Sequence, residues 1–335
     1  MDKYNNKKLK SQKLSQLMDS VNLVTPNTVT RVGECGNMLE FIADSTMEHL
    51  KLNRGNFCTN RFCPMCAWRK TLKDTQKISI MMHYLKEIFD MEFLFLTLTV
   101  PNVEGDKLND EIKRINKAFK KMIERKDFET SVKGYIRKLE VTYAKEPIIT
   151  KELFKRKKAY YTTRGLKVGD IEPSYNTYHP HLHVVLAVDK NYFINPRQYK
   201  SQAKWLEMWQ DATGDYDITQ VDIRKIYSSD LESICELAKY SAKDSDYMVS
   251  EDVFKTFYGA LKGKQLITYS GVFKEAVKLY DEGKLDKYKP KDMIDYIYIM
   301  LYVWGGKEYQ EHTIREMTED ERQLYNKKLI EFMEE

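Results

Sequence analysis

The strongest signal in this sequence is the stretch His179-Pro180-His181-Leu182-His183-Val184-Val185-Leu186-Ala187-Val188. Its apolar, partly β-branched run predicts a strand, and successive side chains of a strand point to opposite faces. His179, His181 and His183 therefore share one face, where packing gives no reason for three imidazoles. Neutral imidazoles ligate divalent cations, so we predict a metal site with His181 and His183 as ligands. His179 is a less favoured candidate, because it precedes Pro180 and can lie before the regular strand begins. The alternative is a sheet-edge histidine cluster that only packs or meets solvent.

The composition excludes several classes of protein. With 335 residues the chain is long enough for two or three domains and a substantial core. It carries 55 Lys and Arg against 50 Asp and Glu, and this formal net charge of +5 does not by itself establish a nucleic-acid partner. No stretch approaches the length of an apolar membrane span, and the Lys-rich start has no apolar signal core. We expect a cytoplasmic protein with no membrane partner.

The cysteines predict a second metal site. Five cysteines are too few for a disulfide scaffold in a chain of this length. Cys35 lies apart from the tight cluster of Cys58, Cys63 and Cys66, and a Cys-x-x-Cys knuckle suits tetrahedral coordination of zinc. We predict a structural zinc on these four residues. Four unrelated thiols, or a site in which His49 replaces one cysteine, are the alternatives.

Basic residues occur beside this cluster and again in the middle of the chain. Arg61 and Arg69 flank Phe62 and Trp68, so they would present cations and stacking rings to a phosphate backbone. Residues 144–178 form a basic, tyrosine-rich insertion that includes Lys157 and Lys158. We predict that both regions bind DNA, with a solvated charged face as the alternative.

The order of the predicted elements indicates the fold class. A strand at 93–100, a helix at 108–125 and a strand at 134–143 precede the histidine strand, and a helix at 196–212 and a strand at 218–226 follow it. This order is the ferredoxin-like α+β plan, an antiparallel sheet with two helices on one face and the histidines on the other. Glu140 occupies the middle of the second strand, at a position that a structural strand rarely makes acidic. The predicted domains are a polar arm at 1–30, a zinc-binding region with a helix at 31–90, this core at 91–248 and a helical carboxy-terminal region at 249–335.

A helix is predicted after the last of these strands. Ser229-Asp230-Leu231-Glu232 is a capping-box start, and Glu236, Tyr240 and Lys243 follow one another at helical spacing on one face. A tyrosine hydroxyl is a poor nucleophile unless a cation or base assists it, and Lys239 and Lys243 lie within one turn of Tyr240. The carboxylate could instead activate water. The alternative is an ordinary exposed tyrosine with a glutamate four residues before it.

Three of these motifs together resemble a known family. They are Thr97-Leu98-Thr99-Val100-Pro101-Asn102, His181-Leu182-His183 and Glu236-Leu237-Ala238-Lys239-Tyr240. In this order they resemble the plasmid rolling-circle replication initiators of the HUH endonuclease superfamily, in the Gram-positive single-tyrosine group. The resemblance covers residues from about 93 to 243, and the cysteine region is similar to the amino-terminal part of the same group.

The resemblance implies a nickase that cuts one strand of a plasmid origin. It implies Mg²⁺ or Mn²⁺ on His181 and His183, with Glu140 as the expected third ligand, and Tyr240 as the nucleophile that becomes joined to the 5′-phosphate. Glu236 would activate water for the terminating cleavage, and Lys239 and Lys243 would contact DNA. The implied partners are the double-stranded origin, single-stranded DNA, a host helicase and a second copy of the chain.

Other functions stay open from the sequence. A transposase or relaxase of the same superfamily would share the metal and the tyrosine, but the cysteine region and the position of Glu236 favour the initiator. Tyr247 is a weak candidate for a second catalytic tyrosine. A non-catalytic, zinc-containing DNA-binding regulator is the alternative from another class.

Overall fold

The computed structural model describes residues 1–227 and 242–326, which form two compact units. The cysteine unit comprises residues 1–89 and 274–326, and the histidine unit comprises residues 90–227 and 242–273. The described residues contain twelve α-helices and nine strands. The strands are β1 (Met38–Ala43), β2 (Leu50–Gly55), β3 (Glu92–Thr99), β4 (Val132–Tyr143), β5 (Tyr178–Val188), β6 (Asp222–Ile226), β7 (Ile267–Gly271), β8 (Tyr298–Trp304) and β9 (Tyr309–Glu316). The helices are α1 (Asp2–Val21), α2 (Pro26–Gly33), α3 (Pro64–Phe89), α4 (Leu108–Ile123), α5 (Lys126–Ser131), α6 (Lys151–Arg156), α7 (Lys158–Thr163), α8 (Gln202–Thr213), α9 (Asp244–Tyr247), α10 (Glu251–Leu261), α11 (Val272–Asp281) and α12 (Glu319–Asn326).

The histidine unit is built on a five-stranded sheet in the order β6-β3-β5-β4-β7, with every neighbouring pair antiparallel. Its first four strands have the ferredoxin-like order, which confirms the predicted α+β core. Helices α4 and α8 contact each other. Phe119 and Asn116 of α4 contact Tyr135 and Arg137 of β4, which alternate with Glu140 along the strand. The helices therefore cover one face of the sheet, and Glu140 belongs to the other face.

The cysteine unit has its own antiparallel sheet, in the order β2-β1-β8-β9. Residues 2–21 form α1 instead of the predicted polar arm, and α1 packs against α2 and α3. The stripe that α1 buries contains polar residues, which hides its helical period in a hydropathy pattern. The buried residues are Tyr4, Lys8, Ser11, Leu14, Met18 and Val21.

The chain after residue 248 contains helices, as predicted, and also three strands that are not predicted from the sequence. Strand β7 extends the histidine sheet, whereas β8 and β9 complete the cysteine sheet. The chain therefore stays in the histidine unit to residue 273, beyond the predicted boundary. Two predicted elements start later than expected, with α8 at Gln202 and β6 at Asp222.

None of the described helices is both long and apolar enough to cross a membrane.

Candidate metal centres

Two histidines and a glutamate converge on the face of the histidine sheet opposite α4 and α8. His181 pairs with Glu140 of β4, and His183 lies two residues further along β5 on the same face. The Nε2 atom of His183 is 3.1 Å from Glu140 Oε2 and 3.2 Å from His181 Nε2. All three side chains are buried, and one ligand atom from each lies within 4.8 Å of the others. Two imidazoles and a carboxylate are a donor set that binds divalent transition metals such as Mn²⁺, so these residues fit the expected cation.

Contacts around the imidazoles orient both rings. His181 Nδ1 lies 3.1 Å from the His179 carbonyl oxygen, which can only accept a hydrogen bond. His183 Nδ1 lies 3.2 Å from the Thr97 hydroxyl oxygen. When a cation is bound, a proton on each Nδ1 would leave each Nε2 free to bind it, in place of the hydrogen bonds that the imidazoles make to Glu140. The backbone at His179 and the side chain of Thr97 thus support the ligands.

The electrostatics separate His179 from the ligands. Burial would raise the pKa of Glu140, but hydrogen bonds and charge from His181 and His183 hold that pKa well below its usual range. The carboxylate is therefore ionised, as a ligand must be. Burial and the neighbouring His181 lower the pKa of His179 to about 4. Its ring stacks on that of His181, with centroids 5.0 Å apart, and lies outside the group of three ligand atoms.

Two cations on the same face were missed from the sequence. Lys138 is buried and pairs with His183 across the β4–β5 ladder. Arg224 of β6 lies 5.0 Å above the ring of Phe95, whose centroid is 5.4 Å from that of His183. Strand alternation assigns Lys138 to the face of Glu140, and this was the available signal. Arg224 could be assigned only once the sheet order was known.

The predicted nucleophile lies outside the part of the chain that the structure describes. The same holds for Glu236 and Lys239, which flank Tyr240 in residues 228–241. Lys243 is described and exposed, directly before α9. Tyr247 is only 3% exposed and packs against Phe254 and Phe257 of α10.

The four predicted zinc ligands form one cluster in the cysteine unit. Cys35 follows α2, Cys58 follows β2, and Cys63 and Cys66 lie at the start of α3. The four sulfur atoms lie within 4.8 Å of one another, and no two of these cysteines form a disulfide. This arrangement fits a tetrahedral thiolate site. His49 lies outside the cluster and contacts Asp44 with its Nδ1 atom, at 3.0 Å.

The pKa values of the clustered thiols shift in opposite directions. Hydrogen bonding to the other three sulfur atoms raises the pKa of Cys35, whereas hydrogen bonds from its neighbours lower the pKa of Cys63. A cation bound to all four sulfur atoms would lower the pKa of every thiol in the cluster, because it stabilises each thiolate.

Helix α1 places two polar side chains against the cysteine cluster. Lys8 is fully buried, and its Nζ atom donates to the carbonyl oxygens of Gly33, at 2.6 Å, and Cys35, at 3.1 Å. The hydroxyl of Ser11 lies 3.2 Å from Cys63 Sγ. Burial lowers the pKa of Lys8, and negative charge on the nearby thiols raises it. Lys8 therefore lies where a dianionic zinc–thiolate centre would need a counter-charge.

The predicted DNA-binding residues lie in both units. Arg61 is exposed, and Arg69 stacks on the ring of Phe57 with 3.6 Å between guanidinium carbon and ring centroid. Lys157 and Lys158 are exposed in the basic insertion. That insertion has a small core of its own, formed by Ile149, Leu153 and Tyr161. It is therefore a folded unit that presents its cations on a fixed surface.

Comparison with known proteins identifies the family of this chain. The family described as "Replication protein" matches residues 49–309. A "Protein rep" from Staphylococcus aureus is 42% identical over 251 residues, covering 75% of this chain and 96% of that protein. A "Protein rep" from Bacillus amyloliquefaciens is 34% identical, covering 76% of this chain and 73% of that protein. No solved structure matches the chain. The chain therefore belongs to the replication-protein family, the plasmid Rep initiators of Gram-positive bacteria.

Proposed function

We propose that this initiator is a nickase that cuts one strand of the plasmid origin and becomes covalently attached to it. The observation that carries the proposal is the convergence of His181, His183 and Glu140 on one face of the sheet. A buried site with this donor set suits attack on a phosphodiester, and the predicted tyrosine would supply the nucleophile.

In the proposed reaction the hydroxyl of Tyr240 loses its proton to solvent and attacks the scissile phosphorus. A phosphotyrosine bond forms to the 5′-phosphate, the bond to the 3′-oxygen breaks, and that oxygen takes up a proton. A polymerase extends the resulting 3′-hydroxyl. When bound, Mg²⁺ or Mn²⁺ supplies Lewis-acid polarisation of the phosphate. His181, His183 and Glu140 would hold the ion, while Thr97 and the His179 carbonyl fix the direction of the imidazoles.

Termination would use a different nucleophile. The phosphotyrosine bond retains the energy of the broken linkage, so strand transfer to a 3′-hydroxyl needs no nucleotide cofactor. We assign Glu236 to remove a proton from water in the final cleavage, which then leaves no lasting covalent adduct. Initiation and termination are thereby separated chemically.

DNA contacts are proposed in three places. Lys239 and Lys243 would contact the cleaved strand near Tyr240. Lys157 and Lys158 would contact the origin duplex. The third place is the cysteine unit. There, the exposed Arg61 and the half-buried Arg69 would bind phosphates, because cations that neutralise phosphates release condensed counterions from DNA. A host helicase and a second copy of the chain are the proposed protein partners, and zinc is the proposed metal of the cysteine cluster.

The test is formation of a covalent adduct on an origin hairpin oligonucleotide in Mn²⁺. We expect Tyr240→Phe to abolish the adduct and keep DNA binding, whereas Tyr247→Phe, the matched control, retains the adduct. Mass spectrometry of the adduct identifies the modified residue. If Tyr240→Phe still formed an adduct, Tyr240 would not be the nucleophile. If the unmodified chain bound the DNA without cutting it, the protein would be a non-catalytic regulator.

The same assay examines termination. We expect Glu236→Ala to nick normally and to accumulate the adduct, because the second nucleophile is not activated. Normal release by this variant would reassign the water-activating role.

A further inference from the structure

Two isoleucines of the basic insertion lie side by side on its surface. Ile148 and Ile171 form an antiparallel bridge in a short ribbon made by residues 147–149 and 170–172. The backbone hydrogen bonds on either side of the bridge, at 2.8 and 3.0 Å, join the neighbouring residues rather than the two isoleucines themselves. The isoleucines are therefore a non-hydrogen-bonded pair, the kind in which side chains of adjacent strands approach most closely.

The ribbon buries its other face. Ile149 and Glu172 alternate with the pair along the ribbon and are 0% and 3% exposed, whereas Ile148 and Ile171 are 49% and 78% exposed. Ile149 belongs to the small core of the insertion, and the Glu172 carboxylate accepts a hydrogen bond from the Tyr161 hydroxyl. The exposed pair is therefore held in a fixed position by the buried face behind it.

The insertion that carries this pair is strongly basic. Residues 144–178 contain eight Lys and Arg against four Asp and Glu; all eight cations are exposed, and one of the acids, Glu172, is buried. Lys145 and Lys151 each lie three residues from Ile148, so their Cα atoms are within about 11 Å of its Cα atom. A partner that combines apolar surface with dense negative charge fits this patch, and stacked bases between phosphates have both properties.

We propose that Ile148 and Ile171 insert between two stacked base pairs of the origin duplex and unstack them, and this rests on the proposed binding of that duplex by the insertion. Unstacking costs free energy, which is offset by burial of the two side chains and by the phosphate contacts that bent DNA makes. The exposed cations of the insertion would make those contacts. Because the insertion joins β4 to β5, opened DNA would form on the unit that carries the candidate metal ligands.

The experiment uses the full chain and origin duplexes that carry 2-aminopurine at successive positions, because the fluorescence of this base rises when it unstacks. The test variant combines Ile148→Thr with Ile171→Thr, which keep the β-branched shape and remove apolar surface. Ile194→Thr is the matched control, because Ile194 is 79% exposed and lies outside the insertion. For each chain we would measure the fluorescence, the duplex affinity at several salt concentrations, and nicking of the origin as duplex and as single strand.

We expect the unmodified chain and Ile194→Thr to raise the fluorescence at one base step, and the double variant to lose this rise. The double variant should bind the duplex about 10-fold more weakly, because less apolar surface is buried. Its salt dependence should be unchanged, because no phosphate contact is removed. Nicking of the duplex should slow, whereas nicking of the single strand should keep its rate, because that substrate needs no unstacking.

An equal fluorescence rise and an equal duplex affinity in the double variant would overturn the proposal. If that variant instead lost binding to phosphatidylglycerol vesicles, with the DNA measurements unchanged, the pair would belong to a lipid-binding surface. The proposed nickase can fail separately: a fluorescence rise without an adduct on the single strand would contradict the nickase and support the insertion of the isoleucines. Normal nicking of the single strand without a fluorescence rise at any position would do the reverse.

Discussion

At the scale of single residues, we expect the hydrogen bond from His183 to Thr97 to strengthen cation binding by the histidine unit. Thr97→Val keeps the shape and the strand preference of the side chain but removes the acceptor for His183 Nδ1. We expect this variant to bind Mn²⁺ about 10-fold more weakly, as the loss of an outer-shell partner typically does. Calorimetric titration of the DNA-free protein measures the change.

Thr99→Val is the matched control for that prediction. Thr99 lies on the same strand and the same face, and its hydroxyl donates to the Gln220 carbonyl at 3.5 Å rather than to an imidazole. Its Mn²⁺ affinity should stay within about 2-fold of the unmodified chain. An equal loss in both variants would show that β3 is disturbed as a whole.

Lys8 supports the cysteine cluster through the backbone of Gly33 and Cys35. Lys8→Met leaves the carbonyl oxygens of Gly33 and Cys35 without their buried donor and removes a positive charge beside four thiolates. We expect zinc affinity, measured by competition with a coloured chelator, to fall about 10-fold. We also expect a loss of about 1–3 kcal/mol in the free energy of unfolding. Lys13→Met, on the exposed side of α1, should change neither quantity; equal losses in both variants would contradict the role of Lys8.

The residue types of both centres could be predicted from the sequence, but their supports could not. Strand alternation placed His181 and His183 on one face of their strand, whereas Glu140 was predicted from its unusual acidic position in a strand and from the family resemblance. The contacts from Thr97 to His183 and from Lys8 to Cys35 join residues far apart in the chain, and neither residue type is unusual at its position. Such contacts are specified by sheet register and helix packing, which local patterns do not contain.

At the scale of elements, the ferredoxin-like core could be predicted because its central strands, β3 and β5, contain continuous apolar runs and the helices between the strands have a clear apolar period. Strands β8 and β9 were missed, since nothing local in them reports that β8 pairs with β1 from the other end of the chain. Helix α1 was missed for a different reason, because Lys8 and Ser11 interrupt its apolar stripe. Both failures concern elements whose stability comes from partners distant in sequence.

The basic insertion offers a prediction at this scale. Strands β4 and β5 pair as far as Tyr143 and Tyr178, and Ala144 exchanges backbone hydrogen bonds with Asn176 and Thr177. The ends of the insertion are therefore adjacent, so a short Gly-containing turn can replace residues 146–174. We expect this deletion to nick a single-stranded origin oligonucleotide at nearly the normal rate. It should bind the origin duplex at least about 10-fold more weakly and with a smaller salt dependence.

Binding isotherms at several salt concentrations measure the effect. Lys157→Ala with Lys158→Ala is the matched variant within the folded insertion, and it should lose about two counterions from the salt slope. Unchanged duplex affinity in the deletion would assign origin recognition to another part of the chain. Loss of nicking on single-stranded DNA would instead make the insertion a support of the sheet.

At the scale of the whole molecule, each compact unit has its own sheet and its own candidate metal centre. The cysteine centre lies among α1, α2 and α3, and the histidine centre lies on β4 and β5. A ligand stabilises the folded segment that binds it, by about 2.7 kcal/mol at a hundred times its dissociation constant. The two metals should therefore protect different parts of the chain.

Hydrogen exchange followed by mass spectrometry tests this, because it reports protection peptide by peptide. We expect Cys63→Ser to lose zinc and to exchange faster in α1 and β1, while Mn²⁺ still slows exchange in β4 and β5. His183→Ala should show the reverse, with full zinc content and no response to Mn²⁺. Cys235→Ser is the control, because four thiolates already complete a tetrahedral site and the fifth cysteine should leave zinc content unchanged. If Cys63→Ser also abolished the response of β4 and β5 to Mn²⁺, the two centres would be energetically coupled, and zinc would then control the nuclease site as well as the fold of the cysteine unit.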